Sequence, residues 1–232
     1  MSYFYKIIDN FLSNDTAKLI SSEFPNPESD AWFSYDSPLE KKRACNNWYF
    51  FGPETYKLFS YLNSEEFLNK LKEITGIQNL YLDLGLHGGG LHMQGNGDKL
   101  NLHLDYSTHP KLKLKRKINL IIYLSEDWNP DWGGNLELWS NDCELNKPLK
   151  NFTTVDNIFN RAVIFDTSQK SWHGFPNKIK CPSDKWRKSI AVYYLTDIDE
   201  ETDSRERALY HPTKEQESDI EILNLIKNRV KF

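Results

Sequence analysis

Nowhere does the chain run to about 18 uninterrupted apolar residues, the length a membrane-spanning helix needs, so no such span is expected. Cysteine is scarce: Cys45, Cys143 and Cys181 stand far apart, with no C-x-x-C pair among them. Three scattered thiols argue against a structural zinc site and suit a reducing, cytoplasmic compartment. The opening M-S-Y-F-Y-K-I-I-D-N-F has no basic stretch leading into a long apolar one. No signal peptide is expected from it, and the sequons at Asn14 and Asn151 read as incidental. A strong charge imbalance is missing as well. The net charge of −4 and pI of about 5.9 give no sign of an electrostatic nucleic-acid binder. No repeat or flexible linker divides the 232 residues. The stretch H-G-G-G at His87–Gly90 looks like an oxyanion-hole motif. A hydrolase of that kind also needs a G-x-S-x-G elbow, which the chain lacks, so a glycine-rich turn is the better reading.

What the chain does have is enough apolar and aromatic residues, 39% and 14%, for a sizeable core. Tyr3–Ile8 reads as an opening strand. Ser13 caps a helix to about Glu23, ended by Pro25 and Pro27. Residues 26–47 show little periodicity and read as loop or irregular strand. Pro53 opens a helix with Tyr56, Phe59 and Leu62 on one face, and Ser64 caps another that Gly76 closes. From Leu80 the texture changes to short alternating runs, with strands near 79–86, 89–94, 100–105, 116–125, 134–140, 152–155, 161–166, 170–175 and 187–196. Such spacing predicts a sandwich or open barrel. Residues 214–230 return to helical spacing. One domain is expected over 1–232: a helical and strand part (1–78), a β core (79–196) and a C-terminal extension (197–232). The run K-L-K-L-K-R-K at Lys111–Lys117 reads as a solvated loop or strand edge. Its sharper reading is a lid that attracts an acidic substrate.

The candidate chemistry starts at L-N-L-H-L-D-Y, residues 100–106. Leu100, Leu102 and Leu104 alternate with Asn101, His103 and Asp105, the period of a strand with one apolar and one polar face. His103 and Asp105 then project together and can chelate a divalent cation if a third ligand arrives. Alone, H-x-D is usually a solvated strand face. His173, in K-S-W-H-G-F-P, supplies that ligand if its strand lies beside the first; alone it reads as a satisfied core histidine. Two imidazoles and a carboxylate on one face of an octahedron suit Fe(II), with three positions left open. In W-R-K-S-I-A-V-Y-Y-L, Arg187 and Ser189 share a strand face and can grip a carboxylate. Asn119 and Tyr123 share a face of another strand. Taken singly, Arg187 reads as a surface ion pair and Tyr123 as core; together near an open-sided iron they suggest a dicarboxylate.

In order along residues 80–196, M-Q-G-N-G-D-K-L-N-L-H-L-D, I-I-Y-L-S-E-D-W, D-W-G-G-N-L-E-L-W, R-A-V-I-F-D with W-H-G-F-P, and R-K-S-I-A-V-Y-Y resemble the Fe(II)/2-oxoglutarate-dependent dioxygenases, in the prolyl-hydroxylase-like branch. The resemblance implies a double-stranded β-helix, a jelly-roll or cupin-like barrel, braced by the N-terminal helices. It implies Fe(II) on His103, Asp105 and His173, with these three and Arg187 as the catalytic set. It also implies 2-oxoglutarate held by Arg187, Tyr123 and Ser189, with Asn119 nearby. Further implications are O2 as co-substrate, ascorbate as reductant, and hydroxylation of a C–H bond with release of succinate and carbon dioxide. A carboxylate at Asp105, where a small residue would open a halide position, points to hydroxylation over halogenation. The substrate implied is a prolyl residue of a peptide or protein; a free amino acid, sugar or other small metabolite is the alternative. A non-catalytic metal-binding barrel is the remaining alternative, and the triad together with Arg187 argues against it. Two departures stand out. Met93 occupies the place of a tyrosine near the co-substrate in several relatives, with Gln94, His92 or Asn119 to compensate. The His173–Arg187 gap is long, which predicts a loop around Pro182. Trp128, Trp132, Trp139 and Trp172 read as packing, or as a groove at the mouth.

Overall fold

The structure is a computed structural model that describes residues 3–200, 202–203, 205 and 207–230. The outermost positions of the expected 1–232 domain, 1–2 and 231–232, and positions 201, 204 and 206 lie outside the described residues. In chain order the regular elements are β1 (Tyr5–Ile8), α1 (Asn14–Ser22), β2 (Phe33–Asp36), β3 (Lys41–Cys45), α2 (Pro53–Leu62), α3 (Glu65–Thr75), β4 (Tyr81–Leu82), β5 (Gly90–Gln94), β6 (Leu100–Leu104) and β7 (Lys115–Tyr123). They continue with β8 (Leu136–Asp142), β9 (Lys147–Val155), β10 (Ala162–Asp166), β11 (Trp172–Phe175), β12 (Arg187–Thr196), β13 (Leu209–Tyr210) and α4 (Ile220–Arg229). The helices begin where the sequence offers a cap. Ser13 and Ser64 each accept a backbone N–H three residues on, at 3.2 Å, and Pro53 opens α2.

Two antiparallel sheets face each other. The larger has the order β1-β10-β7-β12-β5-β3-β2, with β4 against β12; the smaller runs β13-β6-β11-β8-β9. Together they form the expected double-stranded β-helix. The apolar faces of α1, α2 and α3 bring Ile20, Phe59, Leu62, Phe67 and Leu71 onto Leu120, Ile122, Ile164, Ile190 and Val192 of the larger sheet. Burying those side chains supplies the main stabilisation of that layer. Between the sheets, Leu136, Leu138, Val155, Val163 and Phe165 fill one region with hydrocarbon. A polar cavity occupies another. Along one side the sheets join directly: Lys41 N donates to Lys99 O at 2.9 Å and Asn101 N to Leu39 O at 2.8 Å.

Several local expectations change. Within residues 26–47, expected as loop or irregular strand, 33–36 and 41–45 form the regular β2–β3 hairpin, paired to β5 through Arg43, Ala44 and Cys45. Lysine and arginine mask the alternation there, as suits strands at the sheet's edge. Of 79–86 only Tyr81–Leu82 is strand, because Asp83 accepts from the N–H groups of Gly85 and His87 and turns the chain. The cationic run divides. Lys111–Lys113 stays in a loop, whereas residues 115–117 enter β7, with Lys115 on Asp199 at 2.7 Å and Lys117 on Asp166 at 2.6 Å.

Two bulges decide which side chains face inward. Opposite β11, His103 pairs with His173 and Leu100 with Phe175, so β6 fits one extra residue into that interval. The simple alternation of Leu100 with Leu102 and Leu104 therefore fails. Leu102 and Leu104 pack outward on Trp172, while Leu100 packs with Phe175 beside the cavity. Asn101 turns away from the cavity to Gln216 and the carbonyl of His211. In β7 the pairs Ile118–Tyr194 and Arg116–Leu195 leave Lys117 as the extra residue. That slip puts Arg116 on the cavity face with Asn119 and Ile121.

Gly174 sits against the first bulge. A Cβ there would come 2.7 Å from Asn101 O and 2.8 Å from Leu100 O. Gly174→Ala is expected to destabilise the fold by about 1–3 kcal/mol, the usual cost of overpacking, as a lowered denaturant midpoint. Gly85→Ala, whose Cβ would meet nothing closer than 3.4 Å, is the control and should shift it far less.

Candidate active site

His103 and His173 lie directly opposite each other across the β6–β11 pair, with ring centroids 4.3 Å apart. Asp105 follows just after β6. All three side chains are buried, and one ligand atom from each lies within 4.8 Å of the others, close enough to hold a single metal ion. Nδ1–H of His103 donates to Asn101 O at 3.0 Å, and Nδ1–H of His173 to Ser171 O at 2.9 Å. Each bond fixes a tautomer and leaves Nε2 as the free acceptor. Nε2 of His103 stands 3.6 Å from Asp105 Oδ1, and Nε2 of His173 stands 3.8 Å from Oδ2.

The electrostatics match a cation. Burial works to raise the Asp105 carboxyl, but His103, His173 and Arg116 outweigh it and hold the group well below the usual carboxylate range. Burial, followed by the nearby His103, pushes His173 down to about 4. The Nε2 atoms of both imidazoles and the Asp105 carboxylate converge on one buried point, and Asp105 Oδ2 has no hydrogen-bond partner among the described residues. Such a group is costly without a counter-ion. The donor set therefore fits Fe(II).

At the other end of the cavity, Arg187 is 3% exposed. Its Nε donates to Gly134 O at 2.8 Å, and its Nη1 to Gln94 Oε1 at 3.0 Å and Ser189 Oγ at 3.4 Å. Gly134 permits this approach, since a Cβ there would meet the arginine Cδ at 2.8 Å. Among the described residues no carboxylate pairs with this guanidinium, and burial lowers its basicity. The Tyr123 hydroxyl and Asn119 Oδ1, both buried, also have no partner among the described residues. A buried cation flanked by an unsatisfied phenol is matched to a carboxylate ligand.

His103, Asp105, His173, Asn119, Arg187 and Ser189 all line one cavity of about 310 Å³. Tyr123 stands behind Arg187, its ring centroid 5.1 Å from the guanidinium carbon. The strand pairing explains the Met93 departure. Gln94 and His92 stand opposite Arg187 and Ser189 and share their inward face, so Met93 points the other way, into the helix-covered core. Gln94 makes the contact to Arg187. Burial, then Lys42 and Arg187, push His92 down to about 3, so its ring is neutral. None of Trp128, Trp132, Trp139 and Trp172 lines this cavity. Trp128 and Trp132 pack beside Phe175 and Ile179, and Trp139 and Trp172 pack on the outer face of the smaller sheet.

Sequence reasoning missed Arg116. It is 2% exposed, with its guanidinium carbon 3.7 Å from the ring centroid of Tyr106 and 3.5 Å from that of Tyr193. It donates to His87 O, and its Nη1 lies 3.6 Å from Asp105 Oδ1. In sequence it is one of several cations in a row; only the bulge turns it inward. Glu40, Lys42, Tyr210 and Arg229, also on the cavity wall, carry no motif at all.

Residues 89–195 match the family model of the 2OG-Fe(II) oxygenase superfamily. The structure resembles a prolyl hydroxylase from Trichoplax adhaerens, solved with a hypoxia-inducible-factor oxygen degradation domain peptide. Identity is 18%, over 83% of each chain, and the TM-score is 0.59. A prolyl-4-hydroxylase from Pseudomonas putida gives 12% identity, 84% of this chain, 94% of that one and a TM-score of 0.56. HygX from Streptomyces hygroscopicus, solved with nickel, 2-oxoglutarate and hygromycin B, gives 16% identity over 84% of each chain and a TM-score of 0.51. No curated protein matches in sequence. The fold is that of these oxygenases, and the buried His-Asp-His cluster lies within the matched stretch. Residues 89–195 thus match the 2OG-Fe(II) oxygenase superfamily, the architecture is that of the prolyl hydroxylases, and the buried His-Asp-His cluster is placed to hold a metal ion such as iron. Among the described residues no helix is long and apolar enough to cross a membrane.

In the metal-free protein the His173 ring should titrate near pH 4, followed by its NMR shifts; an ordinary midpoint near 6.5 would contradict its burial. The sign for stability follows. The unfolded ring takes its proton near 6.5, so this residue's contribution is fully present above that pH and is lost as pH falls toward 4. His173→Asn should flatten that part of the stability–pH curve.

Proposed function

We propose that this protein is an Fe(II)/2-oxoglutarate-dependent hydroxylase in which His103, Asp105 and His173 hold the metal and Arg187 anchors the co-substrate. The observation that carries this reading is one half-enclosed cavity with a buried His-Asp-His cluster at one end and, at the other, a buried arginine that has no carboxylate partner among the described residues. When bound, iron and 2-oxoglutarate supply the oxidising power: O2 places one oxygen atom in the new hydroxyl and one in succinate, and carbon dioxide leaves.

The chain's own residues position and protect. Arg187, with Tyr123 and Ser189, takes the far carboxylate of 2-oxoglutarate, and Asn119 and Gln94 border it. The backbone carbonyls of Asn101 and Ser171 keep both imidazoles turned to the metal. Arg116, clamped between Tyr106 and Tyr193, holds Asp105 ionised. Asp105 also fills the position a halide would need, which favours hydroxylation.

For the substrate, a prolyl residue of a peptide or protein is the reading supported by likeness to the prolyl hydroxylases. A small molecule is the second, and the charged wall of the cavity favours it.

The test is anaerobic loading with Fe(II) and 2-oxoglutarate, followed by oxygen. Oxygen-dependent succinate should appear; its absence with every substrate tried removes the reading. His173→Ala should suppress turnover at least a hundredfold. Arg187→Ala should raise the KM for 2-oxoglutarate about thirtyfold or more, the cost of truncating a buried charge pair. Tyr123→Phe, which removes a single hydrogen bond, should raise that KM only several-fold.

A further inference from the structure

The charges of a ferrous ion, the 2-oxoglutarate dianion, Asp105 and Arg187 cancel. The remainder of the cavity wall is not neutral. Lys42 of β3, Arg116 of β7, Arg207 just before β13 and Arg229 at the end of α4 line it, with Glu40 as the one further carboxylate among the described lining residues. His87 and His92 add no charge at neutral pH, because burial pushes both rings below their ordinary value. The excess is three positive charges.

Glu40 does not absorb it. Its carboxylate is 3% exposed and faces two cations, with Arg229 Nη2 at 2.9 Å and Lys42 Nζ at 3.4 Å. Arg116 is locked between two tyrosine rings and already donates to His87 O, so it adds field but no freedom to move. Lys42 is partly buried and Arg207 exposed, so these two can swing to an arriving ligand. A half-enclosed pocket with low-dielectric walls concentrates such a field and draws in anions.

Size narrows the class. At about 310 Å³ the cavity is at the bottom of the range for small-molecule clefts, roughly 300–1,000 Å³, and it must also hold the co-substrate. One side of the wall is the Glu40–Arg229 pair, which ties the β2–β3 hairpin to α4. The space left inside suits a compact guest.

We propose that the substrate hydroxylated here is a small molecule bearing an oxyanion, a carboxylate or a phosphate, held by Lys42 and Arg207 while its C–H bond is presented to the metal end. The proposal rests on the hydroxylase reading above and makes it specific.

The probes are matched pairs: free amino acids with their amides, sugar acids with their parent sugars, and sugar phosphates with the dephosphorylated sugars. An N-acetylated, C-amidated prolyl tripeptide serves as the uncharged peptide. Two readouts are taken, the melting temperature of the metal-free protein and the oxygen-dependent gain of one oxygen in the probe with succinate formed. At least one anionic member should raise the melting temperature and be hydroxylated at least tenfold faster than its neutral partner, as expected for one charge-assisted contact. Lys42→Met and Arg207→Met should each shrink that preference about tenfold. The acid pairs and phosphate pairs tell the two sources of oxyanion apart. The proposal is overturned if the neutral members or the capped tripeptide serve as well as the anions, or if no anion acts in either readout. Succinate formed without any probe separates the failures. If it persists while no anion acts, the substrate class is wrong and the hydroxylase reading stands; if no succinate forms with or without any probe, both fall.

Discussion

The pairing of β6 with β11 is the constraint on which the rest depends. It sets His103 opposite His173 and carries Asp105 to the same point. A one-residue slip in an antiparallel pair turns every side chain to the other face. The pairing also needs its bulge, since without the extra residue in β6 either Leu100 or His103 would point the wrong way. Gly174 lets the two backbones come that close. The helices packed on the larger sheet serve this indirectly, by holding β5, β7 and β12 in place so that Arg187 faces the triad across one cavity.

The cavity concentrates groups that a stable core avoids. Two carboxylates, two arginines, and acceptors and a phenol that find no partner among the described residues lie at nearly full burial between two hydrocarbon layers. The fold tolerates them because each is partly met: Asp105 by Arg116 and two imidazoles, Arg187 by carbonyl and amide oxygens, Glu40 by Lys42 and Arg229. What remains unmet is arranged by sign. Acceptors gather where a cation belongs, and cations gather where anions belong. That division points to ligands, because a purely structural network would satisfy its own members.

Much of the site was legible from residue spacing. His103 and Asp105 two apart, Arg187 and Ser189 two apart, and Asn119 and Tyr123 four apart on a strand all follow the period of two, and each pair shares a face in the structure. Where the spacing misled, a bulge or an edge strand was the cause. Leu100 and Arg116 face the cavity against their parity, and the β2–β3 hairpin hides its pattern under lysines. Met93 is the converse case. Its place in the motif suggested a gap near the co-substrate, yet its parity turns it into the core and leaves the contact to Gln94.

The helices and their caps, most strands of the β core, and the segments of the candidate metal ligands and arginine could be read from the chain itself, because they depend on local periodicity and on chemistry within a few residues. The composition of the cavity mouth was not. Glu40 and Lys42, Arg116, Arg207 and Arg229 come from four separate segments, and no spacing in the sequence marks them as neighbours. Only the closing of one sheet on the other, the extra residue in β7 and the return of α4 to the β2–β3 hairpin bring them together. A charged side chain reads the same in sequence whether it faces water or a ligand, and only the tertiary fold decides which it meets.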